Sequence, residues 1–444
     1  MNKKNEILTG SIWKAALKFA IPLAITGMLQ QLFNAADVAV VGRFVGKEAM
    51  AAVGSNVPVV GLIVNLFVGI SVGSNVVIAR CIGEGKQKKT EQAVHTSIVL
   101  ALICGVIVAV VGSIIAGPII KMMGVPAEVA DYSALYLRIY FLGSPFILLY
   151  NFESAIFRSY GDTKTPLFCL LTGGILNVCF NIFFILKLGM TVDGVALATV
   201  IANAVSSAML LFFLLRGKDG IKVEIRKLGL DLGVTRNVLQ IGLPSGIQSM
   251  VFSISNLCIQ SAINSLGADI MAASSAAFTV EIFVFFILNS FGQACVTFMG
   301  QNYGAGNKQR CREVVKKVTT LSLIITMGGA VFIIIFSDFF VSIFNQDPTV
   351  IQFGTYRVRF LMAGQFLCVI MECLSGALRG LGKSMQPALI TLVGVCGSRI
   401  AWVYTVFASS RTWATLLTVY PISWLLAVIA LVIVYRRTAK KMLE

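Results

Sequence analysis

Asp37 stands near the end of an apolar stretch of membrane length, Phe19 to Gly46, that also carries a proline at position 22. A charge in the bilayer interior costs roughly 2.5–3.5 kcal/mol even on the lenient insertion scale, so a carboxylate there marks a functional site by default. The stretch offers Asp37 no base nearer than Arg43, six residues on. Asn34 precedes it by three residues and so shares its helix face. Asn177 and Asn181, four apart, share a face of another apolar run, as do Thr199 and Asn203 in the run after that. Brought together, these groups would suit either of two coupling chemistries. Asp37 could take up and release H⁺, or Asp37, Asn177, Asn181 and Thr199 could hold Na⁺, a hard cation that prefers oxygen ligands. The same amides and hydroxyl would serve equally well to tie helices together by interhelical hydrogen bonds.

A second set of charges lies later in the chain. Glu281, in the middle of an apolar run, either meets a cationic substrate or pairs with Arg399 in a later run. Glu153 and Glu372 fall close to Arg158 and Arg379 and read as local structural or gating pairs. The chain holds 30 Phe and 15 Met, which would suit a pliable cavity for flat apolar cations. His95 is the single histidine, so a histidine metal centre or catalytic triad is excluded. The ten cysteines lie mostly inside apolar runs without a CxxC, and read as packing residues. No P-loop, GxSxG or HExxH motif is present, and neither enzyme chemistry nor a cofactor is indicated.

The elements that must position these residues follow from composition. The 444 residues are 57% hydrophobic and 13% charged, with a mean hydropathy of +0.86. An all-α polytopic membrane protein has this profile, and no soluble domain does. The formal charge of +16 is therefore read as a topology signal in the loops and not as a nucleic-acid footprint. Twelve apolar runs are long enough to cross a bilayer, with cores near 19–41, 50–79, 93–120, 132–157, 165–186, 195–215, 238–266, 270–300, 318–336, 358–378, 384–408 and 413–435. The first run is too long for a signal peptide and lacks a small-residue cleavage site, so it is expected to stay as the first span. Lys and Arg crowd the alternate links that share a side with the N-terminus, which predicts both termini in the cytoplasm.

The two halves repeat at an offset of about 221. Met50-Ala51-Ala52 recurs as Met271-Ala272-Ala273, Gly83 and Gly85 as Gly304 and Gly306, and Arg158, Gly161 and Pro166 as Arg379, Gly382 and Pro387. Pro22 meets Pro244 and Asn34 meets Asn256 one residue later, while Asp37 meets Ile259. The expected organisation is a six-helix lobe over residues 1–216, a cytoplasmic link over 217–236, and a second six-helix lobe over 237–444. Six spans per half insert both halves the same way up, as in duplicated transporters. Glu281, Arg399 and Asn256 are the substrate-cavity candidates of the second half. Gly69-x3-Gly73 predicts a close helix approach, and Pro22, Pro58, Pro145 and Pro244 are candidate bend points.

LFNAADVAVVGRFVG in the first span, the loops ARCIGEGKQKK and GQNYGAGNKQR, and the pair FRSYGDTKTP and LRGLGKSMQP together resemble the MATE family of multidrug and toxic-compound extrusion transporters. The likeness runs over essentially the whole chain. It implies export of small organic cations across a bacterial cytoplasmic membrane in exchange for H⁺ or Na⁺, with an outward-open V between two lobes and the monomer as the working unit. Asp37 matches the acid of the family's first span, and Asn177 the asparagine of its fifth-span pattern. Asn181 stands where many relatives have an aspartate, which leaves less negative charge for Na⁺ and favours H⁺. Thr199 falls near the sixth-span threonine of a proposed Na⁺ site. Phe252 and Ser253 occupy the neighbourhood of a seventh-span acid of another branch, which puts the chain nearer the branch named for a DNA-damage-inducible relative. A lipid-linked precursor flippase of the same superfamily is the alternative, and it would need several arginines lining its cleft.

Overall fold

The structure is a computed structural model that describes residues 3–217 and 221–443. Residues 218–220 of the expected link, and the chain-end residues 1, 2 and 444, lie outside the described residues. All regular structure among the described residues is helical. A short α1 (Lys3–Leu8) precedes α2 (Ile12–Phe44), α3 (Lys47–Gly83) and α4 (Gln87–Met122). Next come α5 (Ala127–Leu142), α6 (Ser144–Ser159), α7 (Lys164–Leu188) and α8 (Val192–Leu215). The second half contains α9 (Leu232–Asn264), α10 (Ala268–Gly304), α11 (Lys308–Ile335), α12 (Ser337–Ser342), α13 (Pro348–Ala363) and α14 (Gln365–Gly380). Its eleventh span is composite. Short α15 (Met385–Ile390) and α16 (Ser398–Trp402) are each followed by a π-helical stretch, Thr391–Gly397 and Val403–Phe407, before α17 (Trp413–Leu443) closes the chain.

Ten of these segments are each long and apolar enough to cross a membrane, and two helix pairs, α5–α6 and α13–α14, each make one further span bent by 50° and 47°. That gives the twelve spans expected. The bends fall at Gly143 and Gly364, which are repeat partners at the offset of 221. Pro145, with no N–H to donate, reinforces only the first bend, so the glycine position is what the two halves share. Other repeat-related glycines flank helix ends and starts in backbone that L-residues seldom adopt. Gly85 and Gly306 have φ of 71° and 72°, and Gly46 and Gly267 have 136° and 104°. Helix starts are fixed by carboxylates that accept otherwise unpaired N–H groups. Asp162 serves Lys164 and Thr165 of α7, Asp231 serves Val234 of α9, and Asp347 serves Thr349 and Val350 of α13.

The chain forms two compact units. Residues 25–246 make one, and residues 1–24 with 247–444 make the other. The division therefore runs through α2 and α9 and not through the link at 217–236. The described part of that link is fastened to α4 within its own unit. The Glu224 N–H donates to His95 Nε2 at 2.9 Å, whose Nδ1 donates to the Glu91 carbonyl. Gln92 reaches Asp231 at 2.6 Å. In the same unit, Gly69 and Gly73 of α3 lie against Gly246 and Gly242 of α9 so closely that a Cβ on any of the four would run into backbone. The other unit is built around Phe19, Phe291, Phe298, Cys295 and Val318, with Ile12 and Ala16 of α2 packed among them. The ten cysteines are free.

Candidate functional site

Within the 25–246 unit, α2, α7 and α8 bring four of the expected residues into one closed ring of hydrogen bonds. Asp37 is 6% exposed, beside a cluster made by Val41, Tyr136, Ile185, Val192 and Val195. Asn181 Nδ2 donates to Asp37 Oδ1 at 2.6 Å and to Asn177 Oδ1 at 3.3 Å. Asn177 Nδ2 donates to Thr199 Oγ1 at 3.1 Å. The Thr199 hydroxyl closes the ring, 3.3 Å from Asp37 Oδ2 and 3.0 Å from the Val195 carbonyl. A hydroxyl has one proton, so Thr199 supports the carboxylate or its own helix, one at a time. Helix spacing explains the pairing. Asn177 and Asn181 stack one turn apart on α7, facing the same turn of α8.

Asn34 and Asn203 fall outside this ring. Asn34 is exposed, and Asn203 donates to the Thr199 backbone carbonyl at 2.8 Å. Asn181 Oδ1 is buried with no hydrogen-bond partner, an acceptor turned towards nothing that donates. Among the described residues no basic group is paired with Asp37, and no group of three or more His, Cys, Asp or Glu side chains is placed to hold a metal ion.

The other unit carries a buried set of opposite sign. Glu281 of α10 pairs with Arg357 of α13 and not with Arg399, by a bidentate contact of 2.9 and 3.0 Å. Arg357 Nη1 also donates to Ser274 at 2.7 Å. The expected Glu281–Arg399 pair is thereby corrected: a residue placed beside a span at the sequence level lies deep in the structure and takes the acid. Arg399, 1% exposed, donates to Asn256 Oδ1 at 3.1 Å and to Ser423 at 3.4 Å. Its guanidinium lies 4.7 Å from the ring centre of Tyr420 and 5.3 Å from that of Phe252. The expected Glu372–Arg379 pair forms at 3.2 Å, and Arg379 continues to Gln248. Its counterpart does not form, because Glu153 accepts from Ser207 at 2.8 Å instead of meeting Arg158. Ser207 on α8 reaches the acid across the helix contact and supplies its donor.

The sequence model of the MatE family matches the chain twice, over residues 22–183 and 244–405. The chain belongs to the MATE family. The second match begins and ends 222 residues after the first, the interval that separates Asn34 from Asn256. This MATE chain is 28% identical over 401 residues to the probable multidrug resistance protein YoeA of Bacillus subtilis, covering 88% of this chain and 86% of that one. It is also 28% identical over 396 residues to the probable multidrug resistance protein NorM of Thermotoga maritima, covering 88% and 84%. The multidrug export protein MepA of Staphylococcus aureus is 22% identical over 388 residues, with 86% and 84% covered. Among solved structures, MATE in a bent conformation superposes with a TM-score of 0.92 at 22% identity, covering 99% of this chain and 98% of that one. An outward-facing multidrug resistance MATE transporter gives 0.91 at 23%, covering 99% and 98%. These likenesses establish the fold.

Several residues of this MATE chain's two buried sets were not singled out from sequence. Tyr136 and Tyr140 of α5 stack on each other with ring centres 6.2 Å apart, within electrostatic reach of Asp37. Their spacing of four residues was a usable signal. Arg357 and Tyr420 carried none, because only the packing of α10, α13 and α17 makes them neighbours.

Proposed function

We propose that this chain is a secondary active multidrug efflux transporter of a bacterial cytoplasmic membrane, exporting small organic cations in exchange for H⁺, with Asp37 as the coupling carboxylate. The observation that carries this reading is the isolation of Asp37, a buried acid whose partners are an amide, a hydroxyl and no cation. The amide and hydroxyl donate to the carboxylate, and neither carries a charge that a proton would have to displace. On protonation Asp37 becomes a donor, the Thr199 hydroxyl turns to the Val195 carbonyl, and the link between α2 and α8 changes from a charge-assisted bond to a neutral one. A monovalent cation leaving as one H⁺ enters moves no net charge, so the pH gradient drives the exchange, and one pH unit supplies about 1.4 kcal/mol, enough for a roughly tenfold concentration ratio.

H⁺ is favoured over Na⁺ because one formal charge faces a ring of neutral oxygens and Asn181 supplies an amide in place of a second acid. Na⁺ remains the ligand that the free Asn181 Oδ1 would also suit. The flippase reading is weaker. The arginines buried in spans are held by Glu281 and by Glu372 with Gln248, Arg399 excepted. In this scheme both termini are cytoplasmic, the lipid bilayer is the only other partner, and the monomer transports.

The test is efflux of a fluorescent organic cation from everted vesicles, driven by a pH gradient or a Na⁺ gradient imposed separately. Transport driven by ΔpH in Na⁺-free buffer is expected. Strict dependence on Na⁺ would replace the proton by a metal ion at the same four residues, and no transport under either gradient would overturn the efflux reading.

A further inference from the structure

Asp37 is not alone among the buried acids of the 25–246 unit. Glu153 of α6 is fully buried. It accepts from the Ser207 hydroxyl at 2.8 Å, and its other oxygen, Oε1, is buried with no hydrogen-bond partner. Tyr150 of its own helix and Cys169 of α7 are titratable groups within its electrostatic reach, and among the described residues no basic group pairs with it. A glutamine would take the same hydrogen bond from Ser207 with no charge to desolvate. Packing alone therefore does not call for an acid here.

Ser207 stands on α8 eight residues after Thr199, with Asn203 midway, so the three follow one another a turn apart along one stripe of the helix. Thr199 reaches Asp37 at 3.3 Å, Asn203 donates to the Thr199 carbonyl at 2.8 Å, and Ser207 reaches Glu153. Eight residues of α-helix rise about 12 Å, and over that distance the stripe joins the two acids. Thr199 and Asn203 are half-buried, which opens that part of the stripe to water, while Ser207 and Glu153 are sealed. Direction follows from chain order. With both termini cytoplasmic, as proposed above, the sixth span runs inward from Val192 to Leu215. Glu153 then lies on the cytoplasmic side of Asp37, six residues before the end of α6 at Ser159, a rise of about 9 Å.

The internal repeat shows that the fold does not require this stripe. α8 and α17 begin 221 residues apart, at Val192 and Trp413, and so do α6 and α14, at Ser144 and Gln365. At that offset Thr199, Asn203, Ser207 and Glu153 answer to Tyr420, Trp424, Val428 and Leu374, as Asp37 answers to Ile259 at 222. Tyr420 and Trp424 pack ring against ring with centres 5.9 Å apart, and Val428 and Leu374 are buried. The same frame thus folds with apolar and aromatic side chains where the 25–246 unit places two acids and the polar groups between them.

We propose that Glu153 is the inner proton acceptor of the transport cycle, so that the proton held by Asp37 leaves for the cytoplasm along the Thr199–Asn203–Ser207 stripe. This rests on the reading of Asp37 as the proton-coupling carboxylate. In the step, the Asp37 O–H bond breaks and an O–H bond forms on Glu153 Oε1, with the two hydroxyls and water at Asn203 passing the proton between them. Asp37 is left as the carboxylate, and Glu153 yields its proton to water at the inner end of α6.

The test separates passage of the proton from handling of the substrate. Everted vesicles report uptake of a fluorescent organic cation driven by ΔpH, and exchange of labelled for unlabelled cation at equal pH, which needs no proton to leave. E153Q keeps the size of the side chain and its bond to Ser207. It is expected to slow the ΔpH-driven rate by on the order of tenfold, with KM and the exchange rate within about twofold of the wild type. E153D, which restores a carboxyl, is expected to recover most of the loss. An equal loss in both modes, or none in either, would overturn the proposal and leave Glu153 a hydrogen bond between α6 and α8. Should E153Q fail to reach the membrane, N203L leaves both acids in place and is expected to slow the ΔpH-driven mode alone, by about threefold. D37N, measured alongside, separates this inference from the reading beneath it. If D37N were driven by ΔpH at the wild-type rate and E153Q were not, the reading of Asp37 would fail, and Glu153 would be the coupling acid itself and not a relay. A wild type driven only by Na⁺ would leave no proton to pass and overturn both.

Discussion

The two buried polar centres solve the same problem in opposite ways. In the 25–246 unit one carboxylate is surrounded by neutral donors, Asn181 and Thr199, that can serve it charged or release it neutral. In the other unit Glu281 makes a fixed bidentate pair with Arg357, and Arg399 is held by Asn256 and Ser423. A group with neutral partners can change its charge without breaking an ion pair; a group in a bidentate pair cannot do so cheaply. On the proposed reading the acid-centred ring titrates or exchanges an ion, while the basic centre stays charged. Duplication supplied two equivalent frames, and divergence at a few positions gave them different chemistry.

The largest expected effect comes from removing the charge that the first centre turns on. Asp37→Asn keeps the size of the side chain and a partner for Asn181, so the protein should reach the membrane at wild-type levels. Gradient-driven efflux should fall by on the order of 100-fold or more, because a group that cannot exchange its proton cannot couple. Full efflux by this variant would end the comparison, since Asp37 would then be one more interhelical hydrogen bond.

Next in size is the test of rigidity in the second centre. Glu281→Gln leaves Arg357 beside Arg399 with no acid between them, and breaking a buried pair in this way costs about 3–5 kcal/mol. The expected result is a marked fall in the thermal midpoint of the purified protein, with partial recovery when Arg357→Met is added. If Glu281→Gln left the midpoint unchanged and abolished transport, Glu281 would belong to the substrate path, and the contrast between a titrating and a fixed centre would fail.

These two centres also differ in how far the sequence exposed them. Asp37, Asn177, Asn181 and Thr199 stood out because each is polar in an apolar run and each pair repeats at helical spacing, so the face was readable before the fold was known. Asn34 had the same spacing from Asp37 but is exposed, since three residues along a helix also spans the width of a narrow buried stripe. The pairing of Glu281 was not readable. Arg357 and Arg399 are both arginines near apolar runs, and the choice between them depends on which of α13 and the composite eleventh span packs on α10. The twelve spans followed from hydropathy, and the turn glycines from their repetition. The division between the two units left no sequence mark, because α2 and α9 each run on as unbroken helices through Ala24 and Gly246.

The smallest expected effect distinguishes a working ring from a merely tidy one. Thr199 contributes a single proton at 3.3 Å from Asp37 and 3.0 Å from the Val195 carbonyl, and the long bond to the acid is the weaker of its two uses. Thr199→Val keeps the shape of the side chain and removes the hydroxyl, which also deprives Asn177 of its acceptor. A net hydrogen bond is worth about 0.5–1.5 kcal/mol, so proton-driven efflux should fall by about threefold, with Thr199→Ser close to the wild type. A fall in efflux matched by an equal fall in the thermal midpoint or membrane level would show that Thr199 only joins α7 to α8. An unchanged efflux rate would show that Asn181 alone holds Asp37 in its working position, with the hydroxyl spent on the Val195 carbonyl.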